Sequence, residues 1–358
     1  MTIAPERSQA GKDTPVDDHR DTHRVLMSGK DCGFDVAAEQ TVLDAALRAN
    51  EWIPHSCTQG TCGTCKLSVL CGEVDHGAAP EYTLTADERS RGLALACMAR
   101  PRSDLVVKPL GVVDGGIRRH ALRDHTGTVV TLEDIATDTR RLVVELADDL
   151  RLNAGQSCGR IVPRPGVGRQ YPMARPPSDT RRVEFHVKRT PGGLATDGWI
   201  FSSLSVGDEI ALRGPLGQFS LVFEQSEPAI LVGGGTGLAP LKSIAVHALD
   251  NGLVPEMHLY HGGRRREDLY DVDFFGELAQ RHNNFRYHPV LSEQDWDGAT
   301  GMVTDAVVGD FASCRGMSAY LCGPPPMVEA GVKALKRRRM APRLIFREEF
   351  VVAAPITP

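Results

Sequence analysis

Four cysteines constrain this chain more than any other feature. In Ser56-Cys57-Thr58-Gln59-Gly60-Thr61-Cys62-Gly63-Thr64-Cys65, four residues separate the first two cysteines and two separate the second from the third, and Cys97 follows downstream. That is the ligand spacing of a 2Fe-2S cluster, in which three thiolates from one loop and one from a later segment hold two irons. Gly60 and Gly63 suit such a loop, because backbone wrapped around a cluster needs positive φ and close approach to inorganic sulfide. A zinc site and a disulfide pair are the other readings. Zinc ligands usually come as two short pairs, and disulfides need an oxidising compartment, so Cys57, Cys62, Cys65 and Cys97 are read as metal ligands. The other cysteines, Cys32, Cys71, Cys158, Cys314 and Cys322, are scattered like the small buried thiols of a reducing compartment.

A chain of 358 residues suits two or three domains, each with its own core, and 41% apolar residues mark it as globular. A net charge of -5 argues against a nucleic-acid partner, which needs a clustered basic surface. No stretch approaches the ~20 apolar residues of a membrane span. Residues 1-23 are polar, carry Asp17, Asp18 and Asp21, and lack the apolar core of a signal peptide, so a disordered tail and a cytoplasmic protein are expected.

Residues 24-109 read as a small α+β domain. Val25-Leu26-Met27 and Gly33-Phe34-Asp35-Val36 suggest paired strands, and Thr41 with Asp44 starts a helix through Ala49. After the cluster loop, Lys66 to Leu70 reads as a strand, and Thr85 with Glu88 forms a capping box ahead of a strand expected to carry Cys97. The segment resembles plant-type ferredoxins, which implies a β-grasp-like fold. Nine Lys or Arg against eleven Asp or Glu leave it at only -2, too little for long-range charge steering alone to choose its partner. Residues 110-124, with Gly111, Gly115 and Gly116, read as a linker.

Residues 125-222 carry short β-prone runs separated by Gly, Pro and Asp, the pattern of a barrel or sandwich. Arg169-Gln170-Tyr171 follows a Gly-Val-Gly turn, and Pro191-Gly192-Gly193-Leu194-Ala195-Thr196 follows later. An Arg can pair with a diphosphate, a Tyr ring can stack on a heterocycle, and a double-Gly turn can offer backbone donors to phosphate. In this order the motifs resemble the FAD barrel of the ferredoxin-NADP reductase superfamily. The resemblance implies that Arg169 pairs with the FAD diphosphate and that Tyr171 stacks on the isoalloxazine. It places Val187, Lys188, Gly192, Gly193, Leu194 and Thr196 around the cofactor, and Gly214 to Phe219 at the closing turn of an antiparallel barrel. Three positions depart from the pattern. Pro172 stands where the family has a hydroxyl, Ser157 where an aromatic is common, and Arg175 where Asn is common.

Residues 227-350 start with the apolar run Ala229 to Val232, which feeds into Gly233-Gly234-Gly235-Thr236-Gly237 and then a helix with Leu241, Ile244, Ala245, Ala248 and Leu249 on one face. A strand, a glycine turn and a helix N-terminus make a phosphate cradle, since free N-H groups and the helix dipole face the anion. Further strands alternating with helices predict a doubly wound parallel sheet. Cys322-Gly323-Pro324 resembles the superfamily's signature beside the nicotinamide, and Phe346 to Phe350 its aromatic and acidic tail, with Phe350 on the nicotinamide side. Where a carboxylate would hold an NAD ribose, the chain reads His261 to Arg266, which leaves NADPH open. Many NADH-using relatives nonetheless share the pattern matched by Gly263, Arg264, Asp268 and Leu269, so NADH is expected. Lys336 to Arg339 reads as a solvated helix face, and residues 351-358 as a tail.

Together the three segments resemble reductase components of soluble di-iron monooxygenases acting on propane, alkenes or phenol, and of some Rieske dioxygenases. The resemblance implies an enzyme that passes electrons from NADH through FAD and a 2Fe-2S cluster to an oxygenase component. It implies a monomer in which Tyr171, Cys322 and Phe350 flank the reacting rings. The contrasting reading is a flavin-deficient electron carrier or redox sensor.

Overall fold

The computed structural model describes residues 22-30, 33-111, 117-159, 169-222 and 226-350. The expected tails, Cys32, the middle of the linker and the Gly-Val-Gly turn before Arg169 lie outside these residues. No helix among the described residues is long and apolar enough to cross a membrane.

The first sheet runs in the order Gly33-Ala37, Thr22-Met27, Leu105-Pro109, Lys66-Cys71, Leu93-Leu95. The outer pair Thr22-Met27 and Gly33-Ala37 is antiparallel, whereas Thr22-Met27 pairs in parallel with Leu105-Pro109. The helix Val42-Arg48 covers this sheet because five of its seven residues are apolar and buried, and the Thr41 hydroxyl accepts from the Asp44 N-H at its start. Two expectations change. The strand begins at Thr22, so the last two residues assigned to the tail belong to the domain. Cys97 sits in the turn just after Leu93-Leu95, because the Met98 and Ala99 N-H groups turn back to the Leu95 carbonyl.

The second sheet is antiparallel, in the order Tyr171-Pro172, Ser157-Gly159, Glu209-Leu216, Arg123-Ala136, Thr139-Leu146, Arg182-Lys188. A bridge between Met173 and Phe185 joins its two ends and closes the barrel around Val129, Leu142, Val144, Phe185 and Leu212. Gly214 to Leu216, expected in a turn, continues the strand Glu209-Leu216. The double-Gly turn leads into one π-helical stretch, Thr196-Ile200, which no sequence period announces.

The third sheet is all parallel, ordered Ala299-Thr300, Phe285-Leu291, Met257-Gly263, Ala229-Gly234, Ser318-Gly323, Ile345-Glu349. Helices Leu238-Asp250, Val272-Arg281, Val303-Asp310 and Pro325-Arg337 connect its strands. Every residue of Ala229-Gly234 and Ser318-Gly323 is buried, as strands covered on both faces must be. Of the aromatic and acidic tail Phe346 to Phe350, all but Phe350 lies in the edge strand Ile345-Glu349, held by register pairing with Ala319 to Gly323.

Candidate functional site

The four candidate ligands converge without forming a disulfide. Sγ of Cys65 lies 3.3 Å from Sγ of Cys97, and the Gln59 and Cys62 N-H groups donate to Sγ of Cys57 at 3.5 and 3.4 Å. The hydrogen bond from Cys62 holds the Cys57 thiol down at about 5, and the bond from Cys97 pulls Cys65 down as well. Cys62 and Cys97, the other members of these pairs, shift upward. Thr58, Gly60 and Gly63 all have positive φ, which wraps the loop and turns its amides toward sulfur. Four convergent thiols ringed by amides fit a 2Fe-2S cluster.

The same loop touches both other domains. The Gly217 N-H donates to Nε2 of His55 at 2.9 Å, while Nδ1 of His55 lies 2.8 Å from the Ile53 carbonyl. That carbonyl needs a donor, so the proton sits on Nδ1 and the ring is neutral, in keeping with burial pushing it down to about 4. The Thr58 hydroxyl donates to Oε1 of Gln170, between Arg169 and Tyr171, at 3.4 Å. The Ser56 hydroxyl donates to Oε1 of Glu348 at 2.8 Å. Burial pushes the Glu348 carboxyl up to about 7. Register sets Gly233 beside Cys322 and Cys322 beside Glu348. With strands about 4.8 Å apart, Glu348, which accepts from the loop, therefore lies roughly 10 Å across the sheet from Gly233.

In the barrel, Tyr171 is half-buried with its ring edge-on to Phe185 at 6.4 Å, and burial pushes its hydroxyl up to about 12. Pro172 lies opposite Ser157 in the strand register, so two of the departing positions are neighbours. Nε2 of Gln170 is buried without a partner, an orphan donor that fits a polar group seated against Arg169 and Tyr171. Other candidates change character. Val187 is buried in the barrel core, and Nζ of Lys188 is bonded to the Thr137 carbonyl, so neither side chain is free for a cofactor. The Gly192 N-H donates to Asp197 at 3.0 Å and the Gly193 N-H to the Thr190 carbonyl at 2.9 Å, so these two donors are already used inside the turn. The Thr196 hydroxyl closes the same turn against Thr190, and Leu194 is exposed at its tip.

The glycine turn fits a dinucleotide. Gly235 has φ +55 and its absent Cβ would meet nothing within 4 Å, which leaves an open cradle. A Cβ on Gly237 would lie 2.1 Å from the Cys322 carbonyl, so only glycine lets the helix Leu238-Asp250 start against that strand end. A Cβ on Gly234 would lie 2.7 Å from Sδ of Met327, a side chain that can shift, and Thr236 is half-buried between the two glycines. Gly323 and Pro324 end the neighbouring strand and cap the helix Pro325-Arg337, so two helix N-termini follow adjacent strand ends. Cys322 is fully buried there, and the Phe350 N-H donates to the Gly323 carbonyl at 3.0 Å. Asp268 accepts from the Arg264 and Arg265 N-H groups at 3.1 and 3.0 Å, which makes it a turn-former that leaves the Arg264 side chain exposed. Arg266 pairs with Asp297 at 2.9 Å.

Sequence reasoning assigned no partner to His55, Ser56, Gln170 or Gly217, because those partners lie in other domains. It also missed a buried polar cluster of Arg141, Glu184, His186, Lys242, Tyr270 and Asp271 between the barrel and the third domain.

Residues 25-102 match the 2Fe-2S iron-sulfur cluster binding domain, 126-221 the oxidoreductase FAD-binding domain, and 231-333 the oxidoreductase NAD-binding domain. The reductase subunit of an aromatic O-demethylase from an Amycolatopsis strain is 52% identical over 337 residues, covering 93% of this chain and 100% of that protein. The reductase component of a Pseudomonas phenol 2-monooxygenase is 39% identical over 326 residues, covering 90% of this chain and 92% of its own length. The crystal structure of an Amycolatopsis cytochrome P450 reductase superposes with a TM-score of 0.86 at 51% identity, covering 92% of this chain and 99% of that one. Identity of this level along nearly the whole length, with the three domain types in one order, means that the chain belongs to the family of oxidoreductases that join 2Fe-2S, FAD and NAD domains and serve as reductase components of oxygenase systems.

Proposed function

We propose that this chain is a cytoplasmic, monomeric reductase that draws electrons from NADH and passes them from its cluster to the oxygenase of a system acting on an aromatic compound. The observation that supports this is the cluster loop bonded at once to the barrel and to the nucleotide sheet, through His55, Thr58 and Ser56. When bound, the flavin takes two electrons as hydride from NADH and the cluster relays them singly. The chain's residues hold and orient: Cys57, Cys62, Cys65 and Cys97 ligate iron, Arg169 pairs with the flavin diphosphate, and Tyr171 stacks on its ring. Gly233 to Gly237 seat the dinucleotide phosphates, while Cys322, Gly323, Pro324 and Phe350 flank the nicotinamide. The three modules are taken as residues 24-109, 125-222 and 227-350.

The aromatic O-demethylase relative favours an oxygenase of that kind as acceptor, and the phenol monooxygenase relative keeps a di-iron hydroxylase as the second reading. Purified protein tests the whole scheme. A flavin spectrum and NADH-dependent reduction of cytochrome c are expected, and a brown protein without flavin would leave only an electron carrier. Reconstitution with each type of oxygenase, scored by product formed per NADH consumed, separates the two acceptors.

A further inference from the structure

We propose that Tyr270 is a positioning residue for the dinucleotide turn, and that His186 of the barrel decides whether the Tyr270 hydroxyl donates to that turn. The inference rests on the reading that the glycine turn seats the dinucleotide phosphates. The Tyr270 hydroxyl lies 3.0 Å from the Gly235 carbonyl and 3.1 Å from Nδ1 of His186, and Nε2 of His186 lies 2.8 Å from Oε1 of Glu184. All three side chains are buried. Because peptides are planar and trans, the Gly235 carbonyl and the Thr236 N-H share one plane and point opposite ways. Anchoring the carbonyl on Tyr270 therefore aims the Thr236 N-H away from Tyr270.

The chain of hydrogen bonds ends in an acceptor on each side, a carboxylate and a carbonyl, and a hydroxyl has one proton to give. With both ring nitrogens protonated, Nε2 donates to Glu184, Nδ1 donates to the Tyr270 oxygen, and Tyr270 donates to Gly235. With a neutral ring, Nε2 still donates to the carboxylate, so Nδ1 must accept from Tyr270 and the Gly235 carbonyl keeps only the Leu238 N-H as donor. One proton on His186 thus moves the hydroxyl proton between the barrel and the cradle.

The groups facing His186 come from every element around it. Glu184 shares its strand, and Arg141 lies on the adjacent one. Lys242 projects from the helix after the glycine turn, Tyr270 and Asp271 precede Val272-Arg281, and His261 lies within Met257-Gly263. Lys242 bridges Glu184 and Asp271 at 2.9 and 2.7 Å, and Arg141 contacts both acids. Burial raises the Glu184 carboxyl, but the His186 bond and Lys242 outweigh it and keep Glu184 ionised. Burial lowers His186 from its ordinary 6.5, so the doubly protonated ring forms on the acid side of that value.

The test is calorimetric binding of NAD+ to holoprotein with FAD and iron content and melting temperature matched. Wild type should bind more tightly at pH 5.5 than at pH 7.5, by about two- to tenfold for one neutral hydrogen bond. Tyr270→Phe should bind with the weaker affinity at both. His186→Phe, which leaves Gly235 as the hydroxyl's sole acceptor, should bind with the tighter affinity at both. A Tyr270→Phe variant that binds like wild type at both pH values overturns the inference, as does a His186→Phe variant that weakens like Tyr270→Phe. Gly235→Asp sets a carboxylate in the open cradle at a φ that Asp tolerates, and should repel the phosphates. If it binds NAD+ normally, the reading of the glycine turn fails; if it does not bind while Tyr270→Phe is silent, the Tyr270 inference alone fails.

Discussion

Glu348 shows how one residue ties chemistry to stability. Its carboxyl is pushed up to about 7 by burial, whereas an ordinary glutamate ionises near 4.5. The native state therefore keeps a proton that the unfolded chain gives up between these values, so its contribution is present below pH 4.5 and is lost as pH rises through 7. Glu348→Gln removes the titration while leaving a hydrogen-bond acceptor for Ser56. The expected result is a melting temperature that falls less between pH 5 and pH 8 than that of wild type, measured by circular dichroism. Arg266 gives a second residue-scale prediction. Its exposed pairing with Asp297 at 2.9 Å offsets one of the cations that a 2'-phosphate could use. NADH should have the higher kcat/KM, and Asp297→Ala should narrow the gap to NADPH by about two- to fivefold, the scale of an exposed ion pair. A variant with an unchanged ratio would exclude Arg266 as a cofactor discriminator.

Between elements, the cluster domain is held to the barrel by a closed ring of charges. Asp44 and Arg48 on one helix meet Asp124 and Arg213 on two barrel strands, with four N···O distances of 2.6 to 2.8 Å. Leu216 of the barrel packs into the same core as Trp52 and Ile53, which continues the seam with apolar contact. Individual pairs at this exposure contribute little, but a ring of four shares its ordering cost. A double-mutant cycle of Arg213→Ala with Asp44→Ala should give a coupling of about 0.5 to 1 kcal/mol in thermal or urea unfolding. Arg213→Ala should also slow NADH-driven cytochrome c reduction more than ferricyanide reduction, because it loosens the cluster domain and spares the flavin site. Equal slowing of both would place its effect elsewhere.

At the scale of the molecule, electrons for a protein acceptor must leave through the cluster, while a small oxidant can draw on the flavin directly. Cys62→Ser should therefore abolish cytochrome c reduction and preserve NADH-dependent ferricyanide reduction, both followed spectrophotometrically. Loss of both activities would mean that the cluster supports the whole fold. Much of this architecture was legible in the chain itself. The spacing of Cys57, Cys62 and Cys65, the capping box of Thr85 and Glu88, and the apolar run into Gly233 to Gly237 are local patterns whose chemistry is set by neighbours a few residues away. Even there, local reading erred where donors were counted free: the Gly192 and Gly193 N-H groups looked available for phosphate, yet Asp197 and Thr190 fold back onto them. The contacts that make three modules one conductor were left to the tertiary structure. Ser56 and Glu348 lie 292 residues apart, His55 and Gly217 162, and Lys242 and Glu184 58. No periodicity spans such distances, and each pair exists because packing buries a polar atom that must then find its partner in another domain.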